Sequence, residues 1–416
     1  MIEAIRNAFK VPDLRKKILF TVFIIAIYRL GTQVPVPGVN VKALQALFKA
    51  KGGVLNFLDL FSGGALSNFA LFALGIMPYI TSSIIMQLLT AVVPTFERWN
   101  KEGDVGQKKI IQVTRYMTLG IAIVESIGYM ALFQGQLHQV FTPLQRYLVI
   151  LTLTAGTAVV MWLGELITQR GIGNGMSLLI FASIISRAPV SVGQTAGALG
   201  TSYLVGLLVL VLIILVAIVI MEKGQRRVPV QYAKRVVGRK VYGGSASYIP
   251  LKINSAGVVP IIFAVSVLMF PVMLGTFLPK GPFSFVSGLL RQGSPLRISL
   301  LFLLIVAFTY FYTAIVFNPI DWADNIKKYG GFIPGVRPGR PTAIHLNKVL
   351  NRISLPGSLF LGLIAVVPEI FGARLGIPFF ANFGGTSLLI MVGVALETMS
   401  QLEAQLLQRH YEGFLK

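Results

Sequence analysis

The amino-acid sequence predicts an all-α integral membrane protein with ten transmembrane helices. Of the 416 residues, 55% are hydrophobic and only 12% are charged, which indicates lipid rather than water as the surrounding solvent. Uncharged stretches such as 147–164, 204–221 and 298–317 are long enough to cross a bilayer, which takes roughly 20 apolar residues. A buried helix of a large soluble enzyme would account for one such stretch, but not for several.

The first predicted segment resembles a secretory signal, because an apolar run follows Arg15, Lys16 and Lys17. Arg29 and a turn over 35–38 come next instead of a small-residue cleavage site, so we interpret the run as an uncleaved membrane helix. The ten predicted segments cover 18–34, 69–93, 113–133, 147–166, 175–190, 203–222, 253–277, 298–317, 353–370 and 384–401.

Basic residues are distributed unevenly among the predicted loops. The net charge is +22, from 37 Lys and Arg against 15 Asp and Glu. If the amino terminus is cytoplasmic, most of the basic residues fall on the cytoplasmic side, chiefly in the amino-terminal segment and the loops 94–115, 223–252 and 321–352. By the positive-inside rule this orientation is favoured, and both termini are then cytoplasmic.

Two six-residue sequences recur five segments apart along the chain. They are Gly75-Ile-Met-Pro-Tyr-Ile80 with Gly257-Val-Val-Pro-Ile-Ile262, and Gly175-Met-Ser-Leu-Leu-Ile180 with Gly385-Thr-Ser-Leu-Leu-Ile390. Such short apolar matches arise by chance, but the constant offset favours a repeat. Because five crossings is an odd number, the halves 1–195 and 196–416 are predicted to be inverted relative to each other, with the functional site between them.

The stretch 56–66 is apolar but too short to span a membrane. Gly63 and Gly64 separate it from the second segment, since glycine permits a backbone reversal. Irregular backbone at membrane depth requires protein or water to satisfy its polar groups. The stretch is therefore either a re-entrant element in a central cavity or a helix on the outer surface.

Ile76 and Ile80 share one helix face, and so do Met176 and Ile180. Ser83 and Gln87 continue the face of the second segment. An apolar narrowing beneath a more polar lining is typical of a pore that closes by dewetting. Isoleucines four apart also pack or face lipid in ordinary membrane helices, and both interpretations stay open on the residues alone.

Three polar residues are predicted to lie within or at the edge of the membrane: Gln87, Glu125 and Asn254. A carboxyl group at a helix centre costs roughly 2.5–3.5 kcal/mol to insert, so it has a partner or a task. Glu125 is a candidate for proton coupling or for a hydrogen bond to a neighbouring helix.

The long loops 223–252 and 321–352 combine basic residues with tyrosines and prolines. Topology does not require loops of this length, and the combination suits RNA or acidic protein partners, with anionic lipid headgroups as the alternative. The chain has no cysteine. It has no HExxH, Walker or GxSxG motif, so we predict no catalytic residue, metal site or cofactor.

Several motifs, in order along nearly the whole chain, resemble those of the SecY family of bacterial protein-export channels. They are Phe61-Ser-Gly-Gly-Ala-Leu-Ser67, Ala73-Leu-Gly-Ile-Met-Pro-Tyr-Ile80, Gly171-Ile-Gly-Asn-Gly175, Glu222-Lys-Gly-Gln-Arg-Arg227, Tyr232-Ala-Lys-Arg235, Ile333-Pro-Gly-Val-Arg-Pro-Gly339 and Phe383-Gly-Gly-Thr-Ser-Leu-Leu-Ile390.

The resemblance implies two inverted five-helix halves around an hourglass pore, with a plug at 56–67 and a lateral gate where segments two and three meet seven and eight. The implied pore ring is Ile76, Ile80, Met176, Ile180, Ile262 and Ile390. The implied plug residues are Phe57, Leu60, Phe61, Ser62, Gly63, Gly64 and Leu66. Gln87, Glu125 and Asn254 are implied for the gate, and Arg235, Arg239, Lys240 and Arg337 for docking of the ribosome and the SecA motor.

The function implied is to translocate unfolded polypeptides across the bacterial inner membrane and to release membrane helices sideways into lipid. The implied partners are SecE, SecG, SecA, the ribosome with its rRNA, signal sequences, nascent chains and membrane lipids. The principal alternative is a secondary transporter, which also uses inverted repeats and broken helices. A transporter would need a polar midplane site, whereas the corresponding positions here are apolar. A membrane-embedded enzyme is disfavoured by the absent motifs.

Overall fold

The computed structural model describes residues 6, 8–37, 39–51, 54–137, 142–232, 235–237, 240–242, 246–277, 282–290, 293–375, 377, 379–380 and 383–414. Helices account for most of them. In the first half they are α1 (Pro12–Gly31), α2 (Val41–Lys51), α3 (Val54–Phe61), α4 (Met77–Val92), α5 (Pro94–Lys101), α6 (Asp104–Leu137), α7 (Pro143–Arg170) and α8 (Gly175–Leu199).

The second half alternates helices with short strands. The helices are α9 (Thr201–Lys223), α10 (Val259–Phe277), α11 (Pro282–Leu289), α12 (Pro295–Val316), α13 (Pro319–Lys328), α14 (Arg340–Leu375) and α15 (Gly385–Phe414). The strands are β1 (Gln225–Tyr232), β2 (Arg235–Val237), β3 (Lys240–Tyr242), β4 (Ala246–Lys252) and β5 (Gly331–Phe332).

Each predicted transmembrane segment overlaps one helix; in order they are α1, α4, α6, α7, α8, α9, α10, α12, α14 and α15. Two segments were predicted to begin too early, because residues 69–76 and 253–258 form turns before α4 and α10. Within the described ranges, seven helices are long and apolar enough to cross a membrane. An eighth counts if α4 and α5, bent by 96° between them, form one span. The apolar part of α10, Val259–Val272, is shorter. The membrane fold is thus an α-helical bundle, while the count of ten crossings stays a prediction.

A small sheet stands at one end of the bundle, where the sequence indicated only loops. Its strand order is β4-β1-β5, all antiparallel. Val228 and Val230 alternate with exposed residues on β1, and they pack with Ile249, Leu251 and Leu346 in a separate apolar core. We call this the sheet end. The loops 223–252 and 321–352 therefore contribute to a folded unit that carries its own core.

The internal sequence matches correspond to matching backbone features. Gly75 has a φ of 57° and Gly257 a φ of 63°, and each lies two residues before the start of its helix. This left-handed conformation favours glycine because it has no Cβ. At the other matched pair, a Cβ on Gly175 would collide with the carbonyl oxygen of Gly164, and one on Gly385 with that of Ile364. Each glycine thus allows its helix to approach the backbone of the preceding long helix.

Candidate functional site

The six side chains predicted to form a ring are all buried, and they belong to the large hydrophobic cluster that makes up most of the core of the bundle. Met176, at 9% exposed, is the most accessible, and Ile390 is fully buried. The residues come from α4, α8, α10 and α15 and from the turn before α4, so both halves of the chain contribute. The ring residues are Ile76, Ile80, Met176, Ile180, Ile262 and Ile390.

The ring residues share a position along their helices. Ile76 caps the amino terminus of α4, and the other five lie within the first six residues of their helices. Helix starts carry backbone N–H groups without intrahelical partners. At α8 the Asn174 side chain accepts hydrogen bonds from the backbone of Met176, at 3.1 Å, and of Ser177, at 3.3 Å. Four helix starts therefore supply the apolar cluster from both halves.

The segment 56–67 folds into the bundle. Its helix α3 ends at Phe61 and packs against α8. Leu60, Phe61, Ser62 and Leu66 are at most 3% exposed, and the apolar three belong to the same cluster as the ring. Phe57 was also predicted to be a plug residue, but its side chain lies outside the described side chains. Of the two placements left open by the residues, burial favours the re-entrant one.

Polar contacts hold this segment in place. Asp59, buried, forms an ion pair with Arg187 of α8. The other carboxylate oxygen of Asp59 accepts a hydrogen bond from the backbone of Ser67 at 2.8 Å, and Arg187 Nη2 donates to Ser67 Oγ at 3.2 Å. Arg29 of α1 donates to the carbonyl oxygen of Gly63 at 2.8 Å.

Sequence reasoning placed Asp59 inside the plug segment 56–67 but gave it no role, and it assigned neither Arg29 nor Arg187 to the site. Asp59 and Arg187 are separated by more than a hundred residues, and no local pattern joins them. The available signal was that Arg29 and Arg187 stand inside predicted membrane segments, where a charged side chain needs a partner. A cavity of about 570 Å³ lies beside the contacts and is lined by Arg29, Asp59 and Arg187 among others.

The two halves meet where α10 packs against α4 and α6, and where α8 packs against α15.

The three residues predicted for the gate lie in different surroundings. Gln87 is half-buried on α4. One carboxylate oxygen of Glu125 is buried with no hydrogen-bond partner among the described residues. Asn254 donates to Glu222 Oε1 at 2.6 Å and to the Gly257 carbonyl oxygen at 2.9 Å. No hydrogen bond joins Asn254 to Gln87 in the described chain, so their joint gate role stays a prediction.

The residues predicted for docking lie at the sheet end. Arg235 begins β2 and Lys240 begins β3, with side chains outside those described, and Arg239 lies outside the described residues. Arg337 is exposed in the turn between β5 and α14, and its carbonyl oxygen accepts a hydrogen bond from Thr342 Oγ1 at 2.9 Å.

The chain matches known proteins over most of its length. A family model described as SecY matches residues 70–399. The protein translocase subunit SecY of Streptomyces galbus is 50% identical over 449 aligned positions, with 100% of both chains covered.

Two solved structures share the fold. One is described as a SecY protein whose plug domain stabilises the closed state of the translocation channel and maintains a membrane seal. It superposes with a TM-score of 0.64 at 19% identity, covering 96% of each chain. The other is Sec61 in the canine ribosome–channel complex from the endoplasmic reticulum, with a TM-score of 0.62 at 17% identity and 96% of each chain covered.

Proposed function

The chain belongs to the SecY family, and we propose that it forms a protein-conducting channel. In this proposal unfolded secretory polypeptides pass between the two halves, and sufficiently apolar segments leave sideways into lipid. The observation that carries it is the buried apolar core, to which both halves contribute side chains from helix starts and against which the short helix α3 packs.

The apolar ring supplies a barrier to ions. A narrow hydrophobic constriction excludes water, and an ion cannot cross it without losing its hydration. The Met176 side chain is unbranched and flexible, and the isoleucine side chains can rotate about their outer bonds. Such a ring adapts to polypeptide side chains of different size and closes again when the polypeptide has passed.

Residues 56–67 act as a plug that keeps the resting channel closed. Their burial against α8 and the polar contacts of Asp59 support this role. A relative's plug domain is described as maintaining a membrane seal, and the same physical task falls to this segment.

The lateral gate lies where α10 packs against α4 and α6. These helices belong to the inverted halves 1–195 and 196–416, so separation of the halves opens the bundle toward lipid. Gln87, Glu125 and Asn254 are the polar residues proposed for it. The equivalent glycine environments in the two halves support the inverted arrangement.

The sheet end faces the cytoplasm of a bacterial cell and docks the ribosome and the SecA motor, with SecE and SecG as membrane partners. Basic residues along β1 to β4 and the exposed Arg337 support an acidic or RNA partner. A related channel was solved in a ribosome complex. The energy for transport comes from the partners, since the sequence contains no nucleotide-binding motif.

The absence of cysteine permits a direct test by disulfide crosslinking. Ile262→Cys is compared with Val267→Cys, which lies on the same helix but is 39% exposed on the outer face. Each variant is reconstituted with its partner subunits, the motor and ATP, and given a secretory precursor that carries one cysteine and is stalled during transport. We expect a crosslink to position 262 and none to position 267. Equal crosslinking at both positions, or none at 262 while precursor is transported, would refute passage through the ring.

A further inference from the structure

The cavity of about 570 Å³ beside the plug segment has an unequal charge balance. Arg29 and Arg187 both line it, and among the described residues of the lining Asp59 is the only acidic one. Amide and hydroxyl side chains make up most of the remaining lining. The wall therefore carries one more positive than negative charge while the plug segment is seated.

The two guanidinium groups depend on the plug segment for their acceptors. Arg29 donates to the carbonyl oxygen of Gly63 at 2.8 Å. Arg187 forms the ion pair with Asp59 and donates to Ser67 Oγ at 3.2 Å. Within the described part of the chain, all side-chain acceptors of both groups lie between residues 59 and 67. A displaced plug segment removes these acceptors together and leaves two positive charges in the wall.

The turn at Gly63 and Gly64 brings the two guanidinium groups to neighbouring positions. A Cβ added to Gly63 would lie 2.6 Å from Arg29 Nη1, and one added to Gly64 would lie 3.2 Å from Arg187 Cζ. A ligand that contacts one arginine is therefore close to the other as well. Two neighbouring guanidinium groups favour an anion over a neutral ligand.

The cavity continues the face of α8 that carries two of the ring residues. Met176, Ile180, Ser183, Arg187 and Ser191 follow one another at intervals of three or four residues, which places them on one helix face. Arg187 comes seven residues after Ile180, about 10 Å along a helix. A polypeptide that has passed the ring therefore meets Arg187 as the first charged group on this face.

The contact between Asp59 and Arg187 indicates which anion fits. Arginine binds carboxylates through charge-assisted hydrogen bonds, and a carboxylate already occupies this position in the seated plug segment. A polypeptide in transit supplies the same chemical group on its aspartate and glutamate side chains.

We propose that this cavity binds aspartate and glutamate side chains of the polypeptide in transit, which take the place of Asp59 at Arg187 while the plug segment is displaced. One carboxylate is exchanged for another, so an acidic residue just beyond the ring stabilises the open channel. This inference rests on the proposed channel function.

The test uses a photoreactive amino acid in place of Gln194, an exposed residue that lines the cavity. The purified complex, with its partner subunits and motor in vesicles without a membrane potential, receives precursors stalled by a folded domain at their carboxyl end. The precursors carry two glutamates, two glutamines or two lysines at positions that stall about 10 Å beyond the ring. We expect the glutamate precursor to crosslink about threefold more than the glutamine precursor, as for one partly exposed ion pair, and the lysine precursor to crosslink least. The three yields are compared in one and the same channel, so they do not depend on how well a variant folds.

A pair of variants assigns the preference to the arginine. Asp59→Asn/Arg187→Met removes both charges of the ion pair and should bring the ratio of glutamate to glutamine crosslinking close to one. Arg146→Met, which removes an exposed arginine of α7 outside the cavity, should leave the ratio unchanged.

Equal yields for the three precursors would overturn the proposal, and this is the result expected if a free anion from the solution filled the site. A ratio that persists in the double variant, or that Arg146→Met also abolishes, would overturn it too. If position 194 crosslinks to no precursor while transport continues, the cavity lies off the path and the proposal fails, with the channel function left standing. If the unchanged complex transports none of the precursors, the channel function fails as well.

Discussion

The ion pair between Asp59 and Arg187 should control how firmly the plug segment is seated. The variant to test is Arg187→Met, which keeps the aliphatic bulk and removes the guanidinium. Without it, the buried carboxylate of Asp59 retains the backbone N–H of Ser67 as its hydrogen-bond donor. Because a buried carboxylate without a counter-charge is costly, the seated position is destabilised relative to a displaced plug that exposes Asp59 to water.

The magnitude follows from the burial of the two side chains. Removing one partner of a fully buried pair costs about 3–5 kcal/mol. The Asp59 side chain is 3% exposed but that of Arg187 is 28% exposed, so the pair is partly screened and about 2 kcal/mol is the appropriate figure. A change of that size raises the ratio of displaced to seated plug roughly 30-fold.

The assay is ion conductance of the purified complex in planar bilayers without substrate. Arg187→Met should raise the resting current, whereas Arg146→Met, an exposed arginine in α7, should not. The double variant Asp59→Asn/Arg187→Met removes the stranded charge, and the Asn oxygen can still accept from Ser67, so the current should return toward that of the unchanged complex. An unchanged current in Arg187→Met, or a double variant that leaks more than the single one, would refute the role of the ion pair.

Three further predictions concern the ring, the helix packing and the sheet end. Ile180→Ser should raise the resting conductance by wetting the constriction, whereas Val267→Ser on an exposed face should not; equal leak in both would argue against the ring. Glu165→Gln should destabilise the protein by about 1–2 kcal/mol, measured as a lower Tm in detergent. The reason is that the carboxylate of Glu165 accepts two hydrogen bonds from Arg115, at 2.7 and 2.5 Å, and the amide would weaken this contact. Arg337→Glu should weaken binding of the ribosome or the motor in a sedimentation assay, with Lys328→Glu, an exposed residue at the end of α13, as the comparison; unchanged affinity for both partners would remove this docking site.

The features that the sequence predicts well depend on short-range patterns. A membrane helix requires a run of apolar residues, and this requirement is local, so each of the ten predicted segments lies mostly within one helix. The repeated Gly75 and Gly257 motifs could also be recognised, because the same backbone turn selects the same residue type twice.

The sheet was missed because its pattern makes sense only with its partner strands. On β1, Val228 and Val230 alternate with exposed residues, but Arg226, Arg227 and Pro229 surround them in a loop that reads as basic and irregular. The apolar surface that buries the valines comes partly from the neighbouring strand β4 and partly from α14, whose Leu346 lies more than a hundred residues after Val228. Contacts of this range, like that between Asp59 and Arg187, are set by tertiary packing and leave no local signature.

The placement of the ring at helix starts bears on how the channel can open. Backbone hydrogen bonds within a helix resist deformation, but the first turn is attached to the preceding residues by a loop that can change its dihedral angles. Ile80 and Ile262 each follow a glycine turn by five residues, in the two halves whose separation we propose. Each helix can therefore tilt about its start without breaking its own hydrogen bonds, and small tilts at four starts widen the apolar cluster while the outer parts of the helices keep their packing. A ring built at mid-helix would require the whole helices to move apart.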